Sequence, residues 1–187
     1  MVIRNFIYEI VQFFYFMNDQ QKREELVKLH ENMRTHLYRI IDGLTQDTLL
    51  KKISDEEHYP HTLSLIWHIG GAETYWFHKA GHDIGSKFSI ESFDEIRPKL
   101  EANTEGIKRV IGQCASEQLR IIPPTEENGP SIAWCLLRTY QHGLYHSAQI
   151  SKIRHMIGAP SIAESPDTWS PAVDSITKLI TTFWNSE

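Results

Sequence analysis

Four long stretches of the chain repeat apolar residues at spacings of three and four, which is the pattern of a helix with one buried face. These stretches cover about residues 20–43, 62–81, 93–119 and 131–157. No stretch shows the alternation of apolar and polar residues between tight turns that is typical of a hairpin. Because loops of moderate length join the helical stretches, the pattern predicts one all-α domain over residues 1–187, built as a helical bundle.

Signals at the ends of these helices support the assignment. Asn18 and Ser131 are suitable N-caps for the first and fourth helices, and Gly158 is a typical residue just past a helix end. Pro98 falls inside the third pattern, which predicts a helix that begins at or just before this residue or is kinked there. Residues 48–62 have no helical pattern and are expected to form a connection.

Two shorter segments at the ends of the chain also follow helical spacing. Residues 1–17 are largely apolar, but Arg4 and Glu9 interrupt them, so the segment is too short and too polar to span a bilayer. We expect an amphipathic helix that packs on the domain or on a second subunit, with a membrane-surface helix as the alternative. A physiological start at Met17 is a further interpretation. Residues 172–184 predict a short C-terminal helix.

Composition narrows the class of protein. The 187 residues are 41% hydrophobic and 23% charged with a net charge of −5, values typical of a soluble globular protein. The acidic balance, without a stripe of Lys and Arg, argues against a nucleic-acid-binding surface. The two cysteines, Cys114 and Cys135, form neither a CxxC motif nor a disulfide framework. We therefore expect a cytoplasmic protein without a transmembrane segment.

Candidate chemistry lies on the apolar side of the fourth helix. His142 and His146 are four residues apart, so their rings share one face. Burying two imidazoles without partners is costly, and a divalent metal removes that cost by taking a lone pair from each ring. Two ordinary histidines, hydrogen-bonded in the core or at its edge, are the alternative. His68, in the middle of the apolar second helix, is the natural candidate for a third ligand.

Other histidines are weaker candidates. His78 and His82 are also four apart, but they stand at the end of the second helix, where a solvated histidine is favourable near the helix dipole. His30 and His36 are expected at the surface or at its edge. No Glu is followed by His three residues later, and HExxH is absent, which excludes the ligand pattern of di-iron carboxylate bundles.

Three segments carry a resemblance to a known family. WHIGGAETYW on the second helix, with TYQHGLYHSAQI and IRHMIGAP on the fourth, resembles the DinB/YfiT-like metalloprotein superfamily over about residues 20–170. The resemblance implies a four-helix bundle of the up-down-down-up type that binds a divalent metal through His68, His142 and His146. Gln149 also stands where the family pattern often has Gln, whereas Ser147 stands where many relatives have another polar or a basic residue.

Three neutral imidazoles leave a divalent ion with its full charge and with open coordination positions, which is the form of a catalytic site. Zinc is the default expectation, and nickel also suits imidazole ligands. Such an ion can lower the pKa of bound water to about 7, or it can hold a substrate thiol as the more reactive thiolate.

The resemblance favours the second role. It implies a metal-dependent thiol S-transferase that couples a low-molecular-weight thiol, such as bacillithiol or mycothiol, to an electrophile in stress response or detoxification. Because relatives often dimerise, we expect a homodimer. A metal-dependent hydrolase is the enzymatic alternative, although Glu73, the only nearby carboxylate on the second helix, is five residues from His68 and points elsewhere. A non-catalytic, metal-binding dimeric module is the alternative of a different class.

Three further residues are candidates for the surroundings of the site. Gln149 and Tyr145 are candidates for orienting a ligand ring or a substrate, with plain helix packing as the alternative. Cys135 lies two turns before His142 on the same side of the helix, where a small buried core residue is the simplest interpretation.

Overall fold

The computed structural model describes residues 17–52, 59–85 and 88–159. Within these ranges the protein has five α-helices, one 3-10 helix and no strand, which confirms the all-α prediction for this part of the chain. In chain order the α-helices are α1 (Asp19–Ile41), α2 (Gln46–Leu50), α3 (Thr62–Lys79), α4 (Phe93–Gln113) and α5 (Ile132–Met156), and the 3-10 helix is Ser116–Leu119. The helices predicted for residues 1–16 and 172–184 lie outside the described residues.

Local capping interactions explain where the helices begin and end. The side chain of Asn18 accepts a hydrogen bond from the backbone N–H of Gln21, whose own side chain accepts one from the N–H of Asn18. Ser131 caps α5 by accepting from the N–H of Trp134 at 3.2 Å. Past the end of α5, Gly158 has a φ of +69°, a conformation that glycine adopts without a Cβ penalty. These ends agree closely with the predicted ones.

Two local predictions differ from the structure. Pro98 lies inside α4 and not at its start, because the helix begins five residues earlier at Phe93. A proline in the second turn removes only one backbone hydrogen bond, and the Glu95 carboxylate stabilises the helix start by accepting from the N–H of Glu91 at 2.7 Å. In addition, the beginning of the predicted connection belongs to the short helix α2, which Thr45 caps.

The long helix α5 packs against both α1 and α3. A Cβ added to Gly143 would lie 2.7 Å from Sδ of Met33, so the missing side chain permits close contact between α5 and α1. Further along both helices, Arg154 donates to the carbonyl of Ile40 at 3.2 Å. Later residues of α5 therefore meet later residues of α1, and the two helices run in the same direction.

The helix α3 runs in the opposite direction to α5. Cys135, near the start of α5, donates to the carbonyl of Trp76 near the end of α3 at 3.3 Å, and His142 meets His68 in the middle of both helices. Apolar side chains from all four long helices form the core. The most buried of them include Leu26, Leu37, Ile66, Phe77, Leu100, Ile107, Ile132 and Leu136.

A polar cluster also lies in the interior, between α1, α3 and α4. Nη2 of Arg34 donates to both carboxylate oxygens of Glu73 at 2.8 Å, and Nδ2 of Asn103 donates to Oε2 of Glu73 at 3.0 Å. Nε of Arg34 donates to Oγ1 of Thr104 at 3.0 Å. We call Arg34, Glu73, Asn103, Thr104 and His30 the buried ion-pair cluster.

The burial of His30 in this cluster corrects the prediction that it lies at the surface, since only 2% of the residue is exposed. Oγ1 of Thr104 uses its own proton on the carbonyl of Leu100, so it accepts from Nε2 of His30 at 3.2 Å. His36 is half-buried, which agrees with the prediction that it lies at the edge of the surface.

Among the described helices, none is both long enough and apolar enough to cross a membrane.

Candidate metal centre

Three histidines from two helices meet on the side of the molecule where α3 and α5 pack together. His68 comes from the middle of α3, and His142 and His146 come from successive turns of α5. Nε2 of His142 lies 2.9 Å from Nε2 of His68 and 3.2 Å from Nε2 of His146. One ring nitrogen from each of the three residues lies within 4.8 Å of the others. The structure thus brings together the three residues that the sequence singled out.

The spacing of these nitrogens fits a single metal ion. Two nitrogens bound to one zinc ion at about 2.0–2.1 Å lie roughly 3–3.4 Å apart for near-octahedral to tetrahedral angles. The two short distances, 2.9 and 3.2 Å, are close to this range. The third pair, His68 and His146, lies within the 4.8 Å that spans the whole group. The donor set therefore suits a divalent cation that prefers imidazole.

A hydrogen bond behind His146 directs its lone pair towards the other rings. Nδ1 of His146 lies 2.6 Å from Oε1 of Gln149, and an amide oxygen can only accept, so Nδ1 carries the proton. Nε2 of His146 is then left with a lone pair. The amide of Gln149 in turn donates to the hydroxyl of Tyr145 at 3.3 Å. Metal-binding histidines have such a partner on the ring nitrogen that does not bind the ion.

Tyr145 and Gln149 thus contact the cluster in the way that the sequence suggested as one possibility. The ring of Tyr145 packs edge-on against His146 with centroids 5.0 Å apart, although 62% of the tyrosine is exposed. Gln149 is half-buried. Gln149 contacts the ring of His146 by a hydrogen bond, and Tyr145 contacts it directly with its own ring and indirectly through Gln149.

The ring of His142 is satisfied only on the side that faces the other histidines. Its Nδ1 is buried and has no hydrogen-bond partner among the described residues. Its Nε2 is close to the Nε2 atoms of both His68 and His146. A cation bound at Nε2 would take the lone pair that faces the other histidines, and Nδ1 would still lack the kind of partner that Gln149 gives to His146.

Burial keeps all three rings neutral near pH 7. Burial, together with the neighbouring His146, His68 and Arg138 and against the opposing effect of Glu73, lowers the pKa of His142 to about 4. Burial also lowers the pKa of His68, with His146 as the second cause, and it lowers the pKa of His146 against the opposing effect of the Gln149 hydrogen bond. Neutral imidazole is the protonation state that binds metal.

Tyr59 is a member of the site that the sequence did not indicate. Its hydroxyl lies 3.2 Å from both ring nitrogens of His68, and its ring lies 4.7 Å from the ring of His68 and 6.0 Å from that of His146. The residue belongs to the connection before α3, where no periodic pattern marks which side chains turn inward. A phenol hydroxyl therefore accompanies the three imidazoles, within reach of any molecule bound beside His68.

The remaining sequence candidates lie outside the cluster. Glu73 is fully buried and paired with Arg34. Cys135 is also fully buried, and burial raises the pKa of its thiol to about 12, so it is a core residue and not a nucleophile. His78 is exposed in the last turn of α3, and neither it nor His82 belongs to a group of three possible ligands in the described ranges. Ser147 is buried on α5.

The site thus has three neutral ring nitrogens on two packed helices that could hold a metal ion, a hydrogen bond behind one of them, and a neighbouring phenol. Three protein ligands around an ion would leave coordination positions for water or for a substrate, as in catalytic zinc sites. None of the protein-family models, curated proteins or solved structures with which the chain was compared matches it.

Proposed function

We propose that the protein binds a divalent metal ion through His68, His142 and His146, and that it is a metal-dependent thiol S-transferase of the DinB/YfiT-like type. The observation that carries the metal site is the meeting of three Nε2 atoms at 2.9 and 3.2 Å along two packed helices. Zinc is the ion we propose first, with nickel as the second candidate, because both bind imidazole well.

Helix directions support the bundle type within this proposal. The helix α5 runs with α1 and against α3, as described above. The pairing of Arg97 with Asp42 and of Lys108 with Glu31 brings the start of α4 to the end of α1, so these two helices run in opposite directions. These directions are those of an up-down-down-up four-helix bundle, and they support the resemblance from which that topology was expected.

When bound, a divalent ion would supply a Lewis acid with open positions that favours the anionic form of a thiol or of water. The chain's own residues would orient the metal ligands and the substrate. Gln149 holds the proton on Nδ1 of His146 and so keeps this ligand oriented. The hydroxyl of Tyr59 is placed to donate a hydrogen bond to a molecule beside His68. In the transfer itself, the sulfur of the thiol would form a bond to the electrophilic carbon while the bond from that carbon to its leaving group breaks. The leaving group would depart with the bonding electrons, and the thiol proton would pass to solvent.

Thiol transfer is favoured over hydrolysis because hydrolysis needs a base that activates water. Glu73 is fully buried and its carboxylate accepts from Arg34 and Asn103, so it is a structural partner of α1 and α4 and is not exposed to water. Among the described residues, none of the three histidines contacts a carboxylate. A thiol loses its proton more readily than water does, because the pKa of a thiol, about 8.5, is much closer to neutral pH.

Metal content and thiol conjugation together test the proposal. We would measure both for the wild type, for His146→Ala, and for His78→Ala as a control that removes an exposed histidine from the same bundle. Bacillithiol, mycothiol, glutathione and cysteine would each be offered with a fluorogenic electrophile. We expect the wild type and His78→Ala to bind about one ion per chain, the coordination that three ligands around one centre support, and to conjugate at least one thiol. We expect His146→Ala to lose both properties.

The outcomes separate the alternatives. A wild-type protein that takes up no zinc or nickel would overturn the metal site. A metal-loaded protein that conjugates no thiol but hydrolyses an ester or amide favours the hydrolase, and one without turnover favours the non-catalytic module. The homodimer and the cytoplasmic location stay predictions, and light scattering of the full chain tests the first of them.

A further inference from the structure

One to two helical turns from the histidines, α3 and α5 carry a group of aromatic and basic side chains. We call this group, Tyr75, Trp76 and Lys79 of α3 with Trp134 and Arg138 of α5, the aromatic-basic patch. The rings of Trp76 and Trp134 pack edge-on with centroids 5.1 Å apart, and so do those of Tyr75 and Trp76. Cζ of Arg138 lies 6.0 Å from the centroid of Trp76, and Nζ of Lys79 lies 5.7 Å from that of Tyr75.

Among the residues of the patch, Arg138 lies closest in sequence to one of the three histidines. It precedes His142 by four residues on the same helix, which places the two side chains on one face with Cβ atoms about 5–6 Å apart. The residue as a whole is half-buried, and its Nη1 donates to Oε1 of Gln141 at 3.0 Å in an exposed position. It forms no ion pair with a carboxylate among the described residues. The side chain therefore carries a positive charge without a counter-ion next to the candidate metal centre.

The two helices that form this face provide no free negative charge. The sequence of α5 contains no Asp or Glu, and the single acidic residue of α3 is Glu73, which is buried and bound to Arg34. The whole chain, by contrast, has a net charge of −5. A strip with two cations and no available carboxylate, in an acidic protein, attracts anions to this face.

There is also room for a ligand between the histidines and the patch. Gly71 and Ala72 are the α3 residues one turn after His68, between it and the Tyr75–Trp76 pair. A Cβ added to Gly71 would meet no atom within 4 Å. The space above this turn of α3 is therefore open among the described residues.

We propose that the aromatic-basic patch binds the carboxylate of a small organic substrate whose reacting group lies at the histidine cluster. The planar guanidinium of Arg138 matches a carboxylate with two parallel hydrogen bonds, and Trp76 and Trp134 provide an apolar wall for the carbon atoms. The carboxylate and the reacting group would then be separated by about one helical turn, roughly 5 Å. This inference rests on the proposed metal centre and adds the substrate class: a short carboxylate-bearing thiol or electrophile.

Two thiols of equal length provide the test. The cobalt-substituted full chain would be titrated with 3-mercaptopropionate and with the neutral 3-mercapto-1-propanol, and the thiolate-to-cobalt absorption band would report binding. We expect the wild type to bind the carboxylate about ten to a hundred times more tightly, as hydrogen bonds to charged groups allow. Arg138→Met should remove this preference and leave the affinity for the alcohol unchanged. Lys152→Met, which removes an exposed cation from the same helix, should behave as the wild type does.

Equal affinity for both thiols in the wild type, or an equal loss for both in Arg138→Met, would overturn the carboxylate assignment while leaving the metal site intact. If neither thiol gives the absorption band, the proposed function fails, and a second measurement decides about the patch. In the metal-free chain, 3-mercaptopropionate should shift the indole N–H signals of Trp76 and Trp134 saturably in the wild type and not in Arg138→Met. No shift in the wild type, or the same shift in both proteins, would also overturn the proposal.

Discussion

Two polar clusters lie in the same molecule and are built in opposite ways. In the buried ion-pair cluster, groups of opposite character meet: both oxygens of Glu73 accept from Arg34, and Asn103 donates to the same carboxylate. In the histidine cluster, three groups of the same kind face one another, and among the described residues no carboxylate accompanies them. The first cluster satisfies nearly all its polar atoms internally, with Nη1 of Arg34 as the exception. The second directs ring nitrogens at a common point.

The difference separates a cluster that supports the packing of the helices from one that could hold a metal ion. A buried charge is tolerated when its partners are present, so the ion pair favours one arrangement of α1, α3 and α4. Glu73 and the carbonyl of Gly70 both bind Asn103 of α4, and they lie only a few residues after His68 on α3. The ion-pair cluster therefore helps to set the rotation of α3 that presents His68 to α5. The histidines have neutral partners in Gln149 and Tyr59 but no carboxylate among the described residues, so a cation would add the charge that this cluster lacks.

Among the changes that test this comparison, we expect Glu73→Ala to lower the stability of the protein most. The variant leaves the guanidinium of Arg34 buried without its counter-ion, and we expect the free energy of unfolding to fall by about 3–5 kcal/mol. Urea denaturation of the metal-free protein measures it. The double variant Arg34→Met/Glu73→Leu should recover most of the loss, because it removes both charges together. A loss of about 0.5 kcal/mol or less for Glu73→Ala, typical of a surface change, would contradict the structural role.

A smaller loss of folding stability is expected when the pH is lowered, because His30 lies in the buried ion-pair cluster. Burial lowers its pKa to about 4, with Glu73 raising and Arg34 lowering the value, whereas the unfolded chain has a histidine pKa of about 6.5. Protonation therefore favours the unfolded state. The contribution of His30 to stability is fully present above pH 6.5 and is lost as the pH falls towards 4, by roughly 3 kcal/mol.

His30→Gln sharpens this prediction, since glutamine can still donate to Thr104 but does not titrate. Urea denaturation between pH 4 and 7 should give a flatter dependence for His30→Gln than for the wild type, whereas the exposed-site variant His78→Gln should follow the wild type. Identical profiles for the wild type and His30→Gln would show that His30 does not carry this effect.

The smallest of the three effects concerns the orientation of a ligand in the histidine cluster. Gln149→Leu removes the acceptor for the Nδ1 proton of His146, and we expect zinc affinity to fall about ten- to a hundredfold. Competition with a chromophoric chelator measures the change. Tyr145→Phe removes only the outer hydrogen bond to Gln149 and should weaken binding less than tenfold. Unchanged affinity in Gln149→Leu would mean that the packing of α5 alone orients His146.

Much of the fold and part of the site could be predicted from relations between residues that are close in sequence. The caps at Asn18 and Ser131 and the pair His142–His146 are relations over three or four positions, and the helix determines their geometry. The prediction that His30 lies at the surface or its edge was wrong, because a polar segment of α1 packs against α4. It missed Tyr59 because a residue in a connection has no periodic pattern that indicates its direction.

The sequence by itself determined that the described chain is helical, where most of the helices begin and end, and which histidines share a helix face. Helical periodicity and capping depend on residues that are close in sequence, so they can be recognised without knowing how the helices pack against one another. Only the tertiary structure decided that Glu73 meets Arg34, that His30 meets Thr104, and that Tyr59 and His68 lie beside the pair on α5. These contacts depend on the relative rotation and register of separate helices, which the packing of many side chains determines together.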